Sequence, residues 1–508
     1  MSRGLATPTD RPRVESLVDL RQVTSDYDAT IVGSGPNGLS AAITLAEQGI
    51  AVLVLEAHEH IGGGTRIAEL TLPGFTHDVC SAIHPMAALS PAFRRMALDT
   101  RGVTWIEPPV ALAHPLDDGR AALLWRSLDE TARGLVGDAD SYRTLLASWV
   151  ARAPTLFSDL LGPLRVPRHP FLLAGFGWNA LKSAERLAHD FKTVPARALF
   201  AGCAAHSFLP LDAPASSAIG LTLLLAAHAV GWPVAKGGSA SISGALANYL
   251  GSLGGVIETR RRVTSWGDIP KSRVVLFDTS PKIMARICRD RLPTSYLARL
   301  ARFRPAPGIF KLDWALGAPI PWKSKQCGQA GTVHLGGTFE EIATSEFEVN
   351  RGIHPQHPYV LVAQQSLFDP TRAPSGKHTG WAYCHVPAGS TVDMTEAIER
   401  QVERFAPGFR DCILARHTMT TAKLSRYNEN YEGGDITGGA NDIRQILMRP
   451  TLGWTSYQTP VPGIYLCSSS TPPGGGVHGM CGYHAARLAL RRVFGRAKAR
   501  IAGPRTPS

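Results

Sequence analysis

The 508-residue chain lacks paired cysteines: its eight cysteines are widely separated, and no two stand at a C-x-x-C spacing. This absence excludes a redox-active dithiol and a zinc knuckle, and we predict no metal site. Scattered thiols fit a reducing compartment. Residues 1–25 contain no apolar run that could act as a secretory signal, and their acidic residues disfavour a mitochondrial transit peptide. We therefore predict a disordered leader over 1–25 and a cytoplasmic location.

Base-stacking surfaces are also missing, because the aromatic residues are not interleaved with basic ones. The net charge of +12 therefore does not indicate a nucleic-acid partner. Part of the positive charge is local, since residues 491–505 carry six basic side chains and no acidic one. We predict a basic tail over 495–508 that is either simply solvated or attracted to anionic lipid headgroups.

An unambiguous membrane span is absent as well. The stretch between Asp212 and Lys236 has no charged side chain, and its segment 219–232 approaches the length of a span. However, His228 interrupts this segment, and a Gly-Trp-Pro sequence follows it. We predict a buried helix of a substrate domain, with a membrane surface or a lining for a long lipid tail as the alternative.

The chain does contain a dinucleotide-binding turn near its N-terminus. A β-branched run over 28–32 leads into Gly33, Gly35 and Gly38 at the spacing G-x-G-x-x-G, with Pro36 and Asn37 between the last two. Gly33 permits a tight turn, Gly35 permits close approach of a pyrophosphate, and Gly38 permits close helix packing. Glu56 ends the next predicted strand, 21 residues past Gly35, where a carboxylate would accept hydroxyls of an adenosine ribose.

A second glycine turn follows the ribose acid at residues 62–66. Gly63 and Gly64 provide another close backbone approach, and Arg66 provides a cation near the phosphates. This Gly-Gly-x-x-Arg pattern often accompanies Rossmann units that bind FAD in an extended form. It therefore narrows the predicted ligand from any dinucleotide to FAD.

A third glycine turn lies near the C-terminus. A strand over 463–468 precedes the turn 474–479, and a helical pattern with small residues follows it. Backbone N–H groups of Gly475, Gly476 and Val477 are suited to contact the flavin. A helix N-terminus at this point would stabilise the negative charge that builds up when a flavin is reduced.

Together these motifs resemble the flavin amine oxidase/phytoene desaturase superfamily over residues 26–494. The similarity is greatest to the branch of bacterial phytoene dehydrogenase-like oxidoreductases and the pyridine nucleotide-disulfide oxidoreductase domain-containing protein 2 group. The resemblance implies that the C-terminal strand and helix complete the FAD site and that the substrate is lipophilic. One departure is the serine run 468–470, where many relatives carry Gly-Asp for the ribityl hydroxyls.

The predicted fold class is α/β, with a Rossmann-type, glutathione-reductase-like FAD-binding domain that is discontinuous and an α+β substrate domain inserted into it. Residues 274–277 are predicted as a further buried strand of the flavin sheet. We assign the FAD-binding domain to residues 26–110, 233–285 and 451–494. The substrate or cap domain takes residues 111–232 and 286–450.

Strands are predicted at 310–316, 360–368 and 381–386 of the substrate domain. Alternation in the last of these puts Trp381, Tyr383 and His385 on one face. This face could hold an extended substrate against the flavin, or it could be a purely structural surface.

The expected reaction is transfer of hydride from a C–H bond to flavin N5, as in a desaturase or dehydrogenase. Desaturation also needs a proton acceptor, for which His478 and His385 are candidates, with Tyr383 as a third residue of the catalytic site. The alternatives are an amine-oxidase-like enzyme, a redox-neutral flavin isomerase, and a flavoprotein with a regulatory or partner-binding role. The electron acceptor, peripheral membrane contact and homo-oligomerisation stay open.

Overall fold

A computed structural model describes residues 26–451 and 456–495, so the predicted leader and most of the predicted tail lie outside the described residues. The strands are β1 (Ala29–Val32), β2 (Val52–Leu55), β3 (Ile67–Ala68), β4 (His77–Asp78), β5 (Trp105–Ile106), β6 (Val110–Pro115), β7 (Ala121–Leu124), β8 (Val234–Ala235), β9 (Val256–Glu258), β10 (Val274–Phe277), β11 (Gly308–Leu316), β12 (Ala330–Leu335), β13 (Val360–Ala363), β14 (His378–Val386), β15 (Ile413–Met419) and β16 (Ile464–Leu466).

The helices comprise both long amphipathic and short connecting segments. They are α1 (Pro36–Ala46), α2 (Pro85–Leu89), α3 (Pro91–Arg95), α4 (Leu128–Gly134), α5 (Ala139–Val150), α6 (Ala153–Leu160), α7 (Pro170–Ala180), α8 (Ala184–Ala188), α9 (Val194–Ala205), α10 (Ser217–Val230), α11 (Ala240–Ser252), α12 (Pro281–Ile287), α13 (Thr294–Leu300), α14 (Phe339–Asn350), α15 (Thr395–Phe405), α16 (Thr421–Tyr427), α17 (Ile443–Leu447) and α18 (Met480–Arg492).

A five-stranded parallel sheet forms the first layer, with the strand order β16-β10-β1-β2-β9. Its central strands read as continuous runs of Val, Ile, Leu and Phe, because helices cover both faces. Helices α1, α11 and α18 pack on one face, and α12 and α13 pack on the other. β1 lies between β2 and β10, where connections leave in opposite directions, and ligands bind outside the carboxyl ends of strands at such a point.

A seven-stranded mixed sheet forms the second layer, in the order β15-β11-β14-β13-β12-β6-β7. Only the pairing of β6 with β12 is parallel, and the other pairs are antiparallel. Helix α15 covers one face with Ile398, Val402 and Phe405. The opposite face carries Trp381 and Tyr383, whose rings meet edge to face with centroids 5.3 Å apart. The predicted alternation in β14 is thereby confirmed.

The two sheets confirm the predicted α/β fold class. Three distant segments supply the strands of the parallel sheet, and residues 274–277 form one of them as predicted. The exact domain boundaries stay a prediction. The second sheet already begins at Val110, the last residue of the segment assigned to the FAD-binding domain, because β6 pairs with β12.

One predicted strand is too long. The segment 360–368 leaves the sheet after Ala363, and a 3₁₀ turn follows over Gln365–Leu367. The buried side chain of Gln364 accepts a hydrogen bond from Trp322 Nε1 at 2.9 Å and donates one to the Cys327 carbonyl at 3.1 Å. These bonds direct the backbone out of the sheet because the amide needs polar partners once it is buried.

The uncharged stretch 213–235 contains α10, in which no residue is exposed. The helix packs in the main core, and its histidine, His228, is satisfied by Tyr142 Oη at 2.8 Å and by the Arg126 carbonyl at 3.1 Å. These contacts confirm that the helix is buried in the protein; its assignment to a substrate domain stays a prediction, and its residues Ile219 and Leu223 line the cavity described below. Across residues 26–451 and 456–495, no helix combines the length and the apolar character needed to cross a membrane.

Candidate active site

The first glycine turn joins the carboxyl end of β1 to the start of α1. Gly33 has a φ of +104°, a left-handed conformation that glycine adopts readily. A Cβ on Gly38 would lie 2.2 Å from the carbonyl oxygen of Gly33, so only glycine allows the helix to start so close to the strand. Gly35 caps α1 without a side-chain hydrogen bond, Pro36 has no N–H, and the Gly38 N–H donates to Asp278 Oδ2 at 2.8 Å, so it is chiefly the positive dipole end of the helix that faces an anion.

The second glycine turn lies against the first. A Cβ on Gly63 would come within 3.1 Å of the Gly35 Cα, and the Gly62 N–H donates to the Ser34 carbonyl at 3.1 Å. Gly64 is equally restricted, because a Cβ there would lie 2.6 Å from the Tyr431 hydroxyl. The two turns predicted to approach one dinucleotide therefore form a single surface.

Glu56 is buried at the end of β2 and holds these turns together. One carboxylate oxygen accepts from the backbone N–H of Ser34 at 3.0 Å and from the Ser34 hydroxyl. The other accepts from the His58 N–H at 2.8 Å and pairs with Arg66 Nη2 at 3.1 Å. Each carboxylate oxygen of Glu56 thus already accepts two hydrogen bonds within the protein, and the side chain neutralises the buried Arg66.

The third glycine turn brings the C-terminal segment to the same cavity. Gly474 and Gly476 have φ values of +111° and +121°, and α18 begins directly after Gly479. Helix α18 packs so tightly on α1 that a Cβ on Gly482 would lie 1.7 Å from the Asn37 carbonyl oxygen. The first and third glycine turns consequently meet at one site.

His478 lies in this third turn, fully buried, with its Nδ1 accepting a hydrogen bond from the Met480 backbone N–H at 3.0 Å. Burial lowers the pKa of His478 to about 4, so the ring is neutral near pH 7. A neutral imidazole that accepts at Nδ1 carries its proton on Nε2. His478 therefore presents a donor at Nε2, which argues against the predicted role as proton acceptor and for a role in positioning a ligand.

A single large cavity of about 960 Å³ connects these features. The predicted residues that line it are Gly33, Gly35, Pro36, Asn37, Glu56, Gly63, Gly64, Arg66, Tyr383, Gly475, Gly476, Val477 and His478. Gly38 does not line it and acts through the packing of α1. The size is in the range of sites that enclose small molecules or cofactors.

His385 does not line this cavity, in contrast to the prediction. Its Nδ1 is 2.8 Å from the carboxylate of Glu346, and its ring lies 3.9 Å from the Phe208 ring and stacks on Tyr383. Two residues along a strand displace a side chain by about 7 Å, which separates His385 from the cavity that Tyr383 reaches. His385 therefore cannot reach a substrate in this cavity and cannot act there as the predicted proton acceptor.

Several cavity residues were missed from the sequence. Asp278 follows β10 and its Oδ2 accepts from the Gly38 N–H at 2.8 Å, while loss of solvent and the nearby Glu56 raise its pKa to about 7. An acidic residue at the carboxyl end of a buried strand was a usable signal. No sequence signal indicated Arg449, which is buried beside Gly474 and donates hydrogen bonds to the Gly439 and Ala440 carbonyls.

His206 is a further cavity residue that sequence patterns did not indicate. It ends α9, and its Nε2 lies 3.0 Å from Nε2 of His334, a fully buried side chain. Burial lowers the pKa of His206 to about 3, so this histidine is also neutral near pH 7. Within the described residues no group of three or more His, Cys, Asp or Glu side chains could hold a metal ion.

The residues present fit FAD. The start of α1 would hold the pyrophosphate, Glu56 at the end of β2 would lie beside the ribose, and the 474–477 turn would face the isoalloxazine ring. Asn37 Oδ1 and His478 Nε2 are among the buried polar atoms that have no hydrogen-bond partner in the described part of the chain. Both residues line the cavity, where a bound ligand could supply the partner.

Comparisons with known proteins agree with this geometry. The model of an NAD(P)-binding Rossmann-like domain matches residues 31–98. Pyridine nucleotide-disulfide oxidoreductase domain-containing protein 2 of Rattus norvegicus is 26% identical, with 92% of this chain and 94% of that protein covered. One of the limonene dehydrogenase polypeptides of Castellaniella defragrans is 22% identical, with 91% of this chain and 94% of that protein covered.

Among solved structures, cyclohexylamine oxidase from Brevibacterium oxydans is similar in fold. Its TM-score is 0.57 and its identity is 18%, with 93% of this chain and 100% of that chain covered. These likenesses confirm the predicted resemblance to the superfamily of FAD-dependent amine oxidases and desaturases. They also support the coarse assignment of the chain as an FAD-dependent oxidoreductase.

Proposed function

We propose that this protein is an FAD-dependent oxidoreductase that removes hydride from a C–H bond of a lipophilic substrate. Bound FAD supplies the hydride acceptor, flavin N5. The chain's own part is to bind the substrate, to orient the reacting C–H bond and to exclude water. Loss of hydride from one carbon and a proton from its neighbour would leave a new C=C bond.

The observation that carries the proposal is the apolar part of the cavity wall. Helices α6, α7 and α10, the segment after α9 and the second sheet contribute to this wall, which includes Leu160, Leu173, Ile219, Leu223, Phe208 and Leu361. A long hydrocarbon gains free energy of about 25 cal/mol for each Å² of apolar surface that such a wall removes from water. The name of the related limonene dehydrogenase is in keeping with a hydrocarbon substrate.

Charge in this part of the cavity also favours a neutral substrate. The acidic residue that lines it, Asp159, already accepts hydrogen bonds from the backbone of Arg168 and from the backbone and ring of His169. The other acidic lining residues, Glu56, Asp278 and Glu429, are near the glycine turns and α16. A protonated amine would therefore lose water without gaining a carboxylate partner.

Two histidines that line the cavity have different roles in the proposal. His478 donates from Nε2 and positions the cofactor. His206 borders the cavity and contacts His334, but burial lowers its pKa to about 3, so it is too weak a base to hold the proton that leaves the substrate, which passes on to solvent water.

Amine oxidation is the second candidate, favoured by the aromatic pair Trp381 and Tyr383 on the cavity wall. Aromatic rings attract a cation placed over their faces, and a solved amine oxidase shares the fold. A peroxide assay of the purified protein with a panel of amines tests this candidate directly. Peroxide release with an amine and none with lipids would replace the primary proposal.

The primary test is a screen of extracted native lipids against the purified protein under anaerobic conditions. We expect the oxidised-flavin absorbance to bleach with an active lipid fraction, and mass spectrometry to find a product two hydrogens lighter. Flavin that binds but is reduced by no lipid would favour a regulatory flavoprotein, and turnover without a change in mass would favour an isomerase.

Gly35→Val provides the flavin-free control, because a branched side chain at this position would occupy the pyrophosphate site. We expect no bound flavin in Gly35→Val and full occupancy in Gly251→Val, since a Cβ at Gly251 has no atom within 4 Å. Stoichiometric flavin in Gly35→Val would contradict the cofactor site. Once a substrate is found, His478→Gln should weaken flavin binding, whereas His206→Gln should keep its flavin.

A further inference from the structure

Helix α7 exposes an apolar stripe to the outside of the protein. Phe171 is 92% exposed and Trp178 is 75% exposed, and both lie on one face because seven residues make almost two full turns. Ala174 and Gly175, between them, are exposed as well. The opposite side packs inward through Phe176, whose ring meets Trp149 edge to face with centroids 6.0 Å apart. The outer face of a surface helix normally carries polar or charged residues, and this one carries none.

Basic side chains lie beside this stripe. Arg165 and Arg168, in the segment leading to α7, are exposed. Partial burial and the neighbouring Arg168, Arg487 and Arg491 lower the pKa of Arg165, so four guanidinium groups from two parts of the chain are close together. Asp159 is the acidic neighbour, and its side chain is only 3% exposed because it bonds to His169. The surface is therefore apolar at α7 and positive at its edge.

The same segment forms part of the cavity wall. Leu164, Pro167, Leu173 and Leu181 all line the cavity, and Leu181 is also 57% exposed. The exposed stripe and the interior apolar wall are thus two sides of one short stretch of chain. A partner that covers the stripe therefore lies next to the cavity wall.

We propose that α7 and residues 161–168 form a docking surface for an anionic lipid bilayer, with α7 lying in the interface plane. Phe171 and Trp178 enter the boundary between headgroups and acyl chains, and the arginines contact anionic headgroups. A second copy of the chain fits less well, because an isologous contact through this face brings two arginine clusters together. The docking does not depend on the proposed reaction, although it would let a lipophilic substrate enter from the bilayer.

The test is sedimentation of the full-length, flavin-loaded protein with sucrose-loaded vesicles. Vesicles of phosphatidylcholine alone are compared with vesicles in which about a third of the lipid is phosphatidylserine. We expect binding to the anionic vesicles that weakens with salt. Phe171→Ser/Trp178→Ser should reduce the affinity about tenfold, because two large apolar side chains no longer enter the interface.

A matched control changes two exposed apolar residues elsewhere, Val392→Ser/Leu414→Ser, and should bind as the wild type does. Arg165→Ser/Arg168→Ser should lose the preference for anionic vesicles. No binding by the wild type, or equal binding by all variants, overturns the proposal. A dimer in light scattering that dissociates in Phe171→Ser/Trp178→Ser, without vesicle binding, would show that a second copy covers the stripe.

Flavin absorbance of every variant separates this result from the proposed function. A variant that keeps its flavin and still bleaches with detergent-dispersed lipid, yet no longer sediments, supports docking independently of the chemistry. Sedimentation that is normal in a protein which no lipid reduces supports docking and contradicts the reaction.

Discussion

At the scale of single residues, Asp278 shows how an acidic group can be kept beside a phosphate site. Its Oδ2 accepts from the Gly38 N–H, and a Cβ on Gly35 would lie 2.6 Å from the same oxygen. Loss of solvent raises its pKa to about 7, and the negative charge of Glu56 acts in the same direction. A large share of the carboxyl is therefore protonated at neutral pH, which reduces its repulsion of a pyrophosphate.

Asp278→Asn should stabilise the protein increasingly as the pH rises. The pKa in the folded state is higher than in the unfolded state, so the wild type loses stability as the pH rises through about 7. Asparagine removes the charge and keeps an acceptor for the Gly38 N–H. We expect a gain in the free energy of unfolding of about 1–3 kcal/mol at pH 8 and a smaller gain at pH 5.

Urea unfolding of the flavin-free protein at pH 5, 6, 7 and 8 measures this effect. Asp99→Asn, at an exposed position, serves as the control and should show no such trend. A difference between Asp278→Asn and the wild type that is constant with pH would contradict the assignment.

At the scale of elements, the site depends on the contact between α1 and α18. Both helices have small residues where they touch, and Gly482 faces the first turn of α1, whose positive dipole end would face the phosphate. Helix packing at this distance leaves no room for a Cβ. The C-terminal helix therefore sets the position of the N-terminal phosphate site, although the two are more than 400 residues apart in the chain.

Gly482→Ala should destabilise the protein and lower its flavin content. The added Cβ would lie 1.7 Å from the Asn37 carbonyl oxygen and 3.0 Å from the Ala41 nitrogen, so α1 must shift. Overpacking of this kind costs about 1–3 kcal/mol. Urea unfolding and the ratio of flavin to protein absorbance report the two effects.

Gly251→Ala in α11 is the matched control for this prediction. A Cβ at Gly251 has no atom within 4 Å, and alanine favours a helix, so stability should be equal or higher. Unchanged stability and flavin content in Gly482→Ala would show that the contact is not tight.

At the scale of the whole molecule, buried ion pairs join segments that are distant in sequence. Asp78 in β4 accepts from the N–H and hydroxyl of Ser239 at 2.8 Å and pairs with Arg372 at 2.6 Å. Burial alone would raise the pKa of Asp78, but Arg372 and the bonds from Ser239 hold it below its usual range. These bonds connect the region after the second glycine turn, the region before α11 and the loop after β13.

Arg372→Met should lower the free energy of unfolding by about 3–5 kcal/mol, because it leaves a buried carboxylate without its cation. The contribution of this pair is present above the pKa of an unfolded aspartate and disappears as the pH falls. Chemical unfolding at pH 7 measures the loss. Asp78→Asn/Arg372→Met should recover part of it.

Arg400→Met is the control, because Arg400 pairs with Glu396 on the surface of α15, where 51% and 62% of the two side chains are exposed. Exposed pairs contribute about 0–1 kcal/mol. A loss in Arg372→Met no larger than in Arg400→Met would contradict the role of the buried pair.

The sequence by itself determined the glycine turns and the strands that lead into them. Gly33 and Gly63 have left-handed φ values, and Gly38 faces the Gly33 carbonyl at a distance that excludes a Cβ, so the residue type follows from local geometry. Buried strands such as β1 and β10 are recognisable because both faces are apolar. The α/β fold, the FAD site assembled from both ends of the chain and the buried α10 could therefore be predicted.

Only the tertiary structure decided which polar side chains reach the cavity. Tyr383 lines it and His385 does not, because the distance along β14 between the two side chains is greater than the width of a side chain. Which ring nitrogen of His478 carries the proton depends on the hydrogen bond from the Met480 N–H. The contact of Asp278 with Gly38 joins residues that are 240 positions apart in the sequence. Periodicity indicates which face of an element is buried. The partner of a buried side chain is set by the packing of segments far apart in sequence.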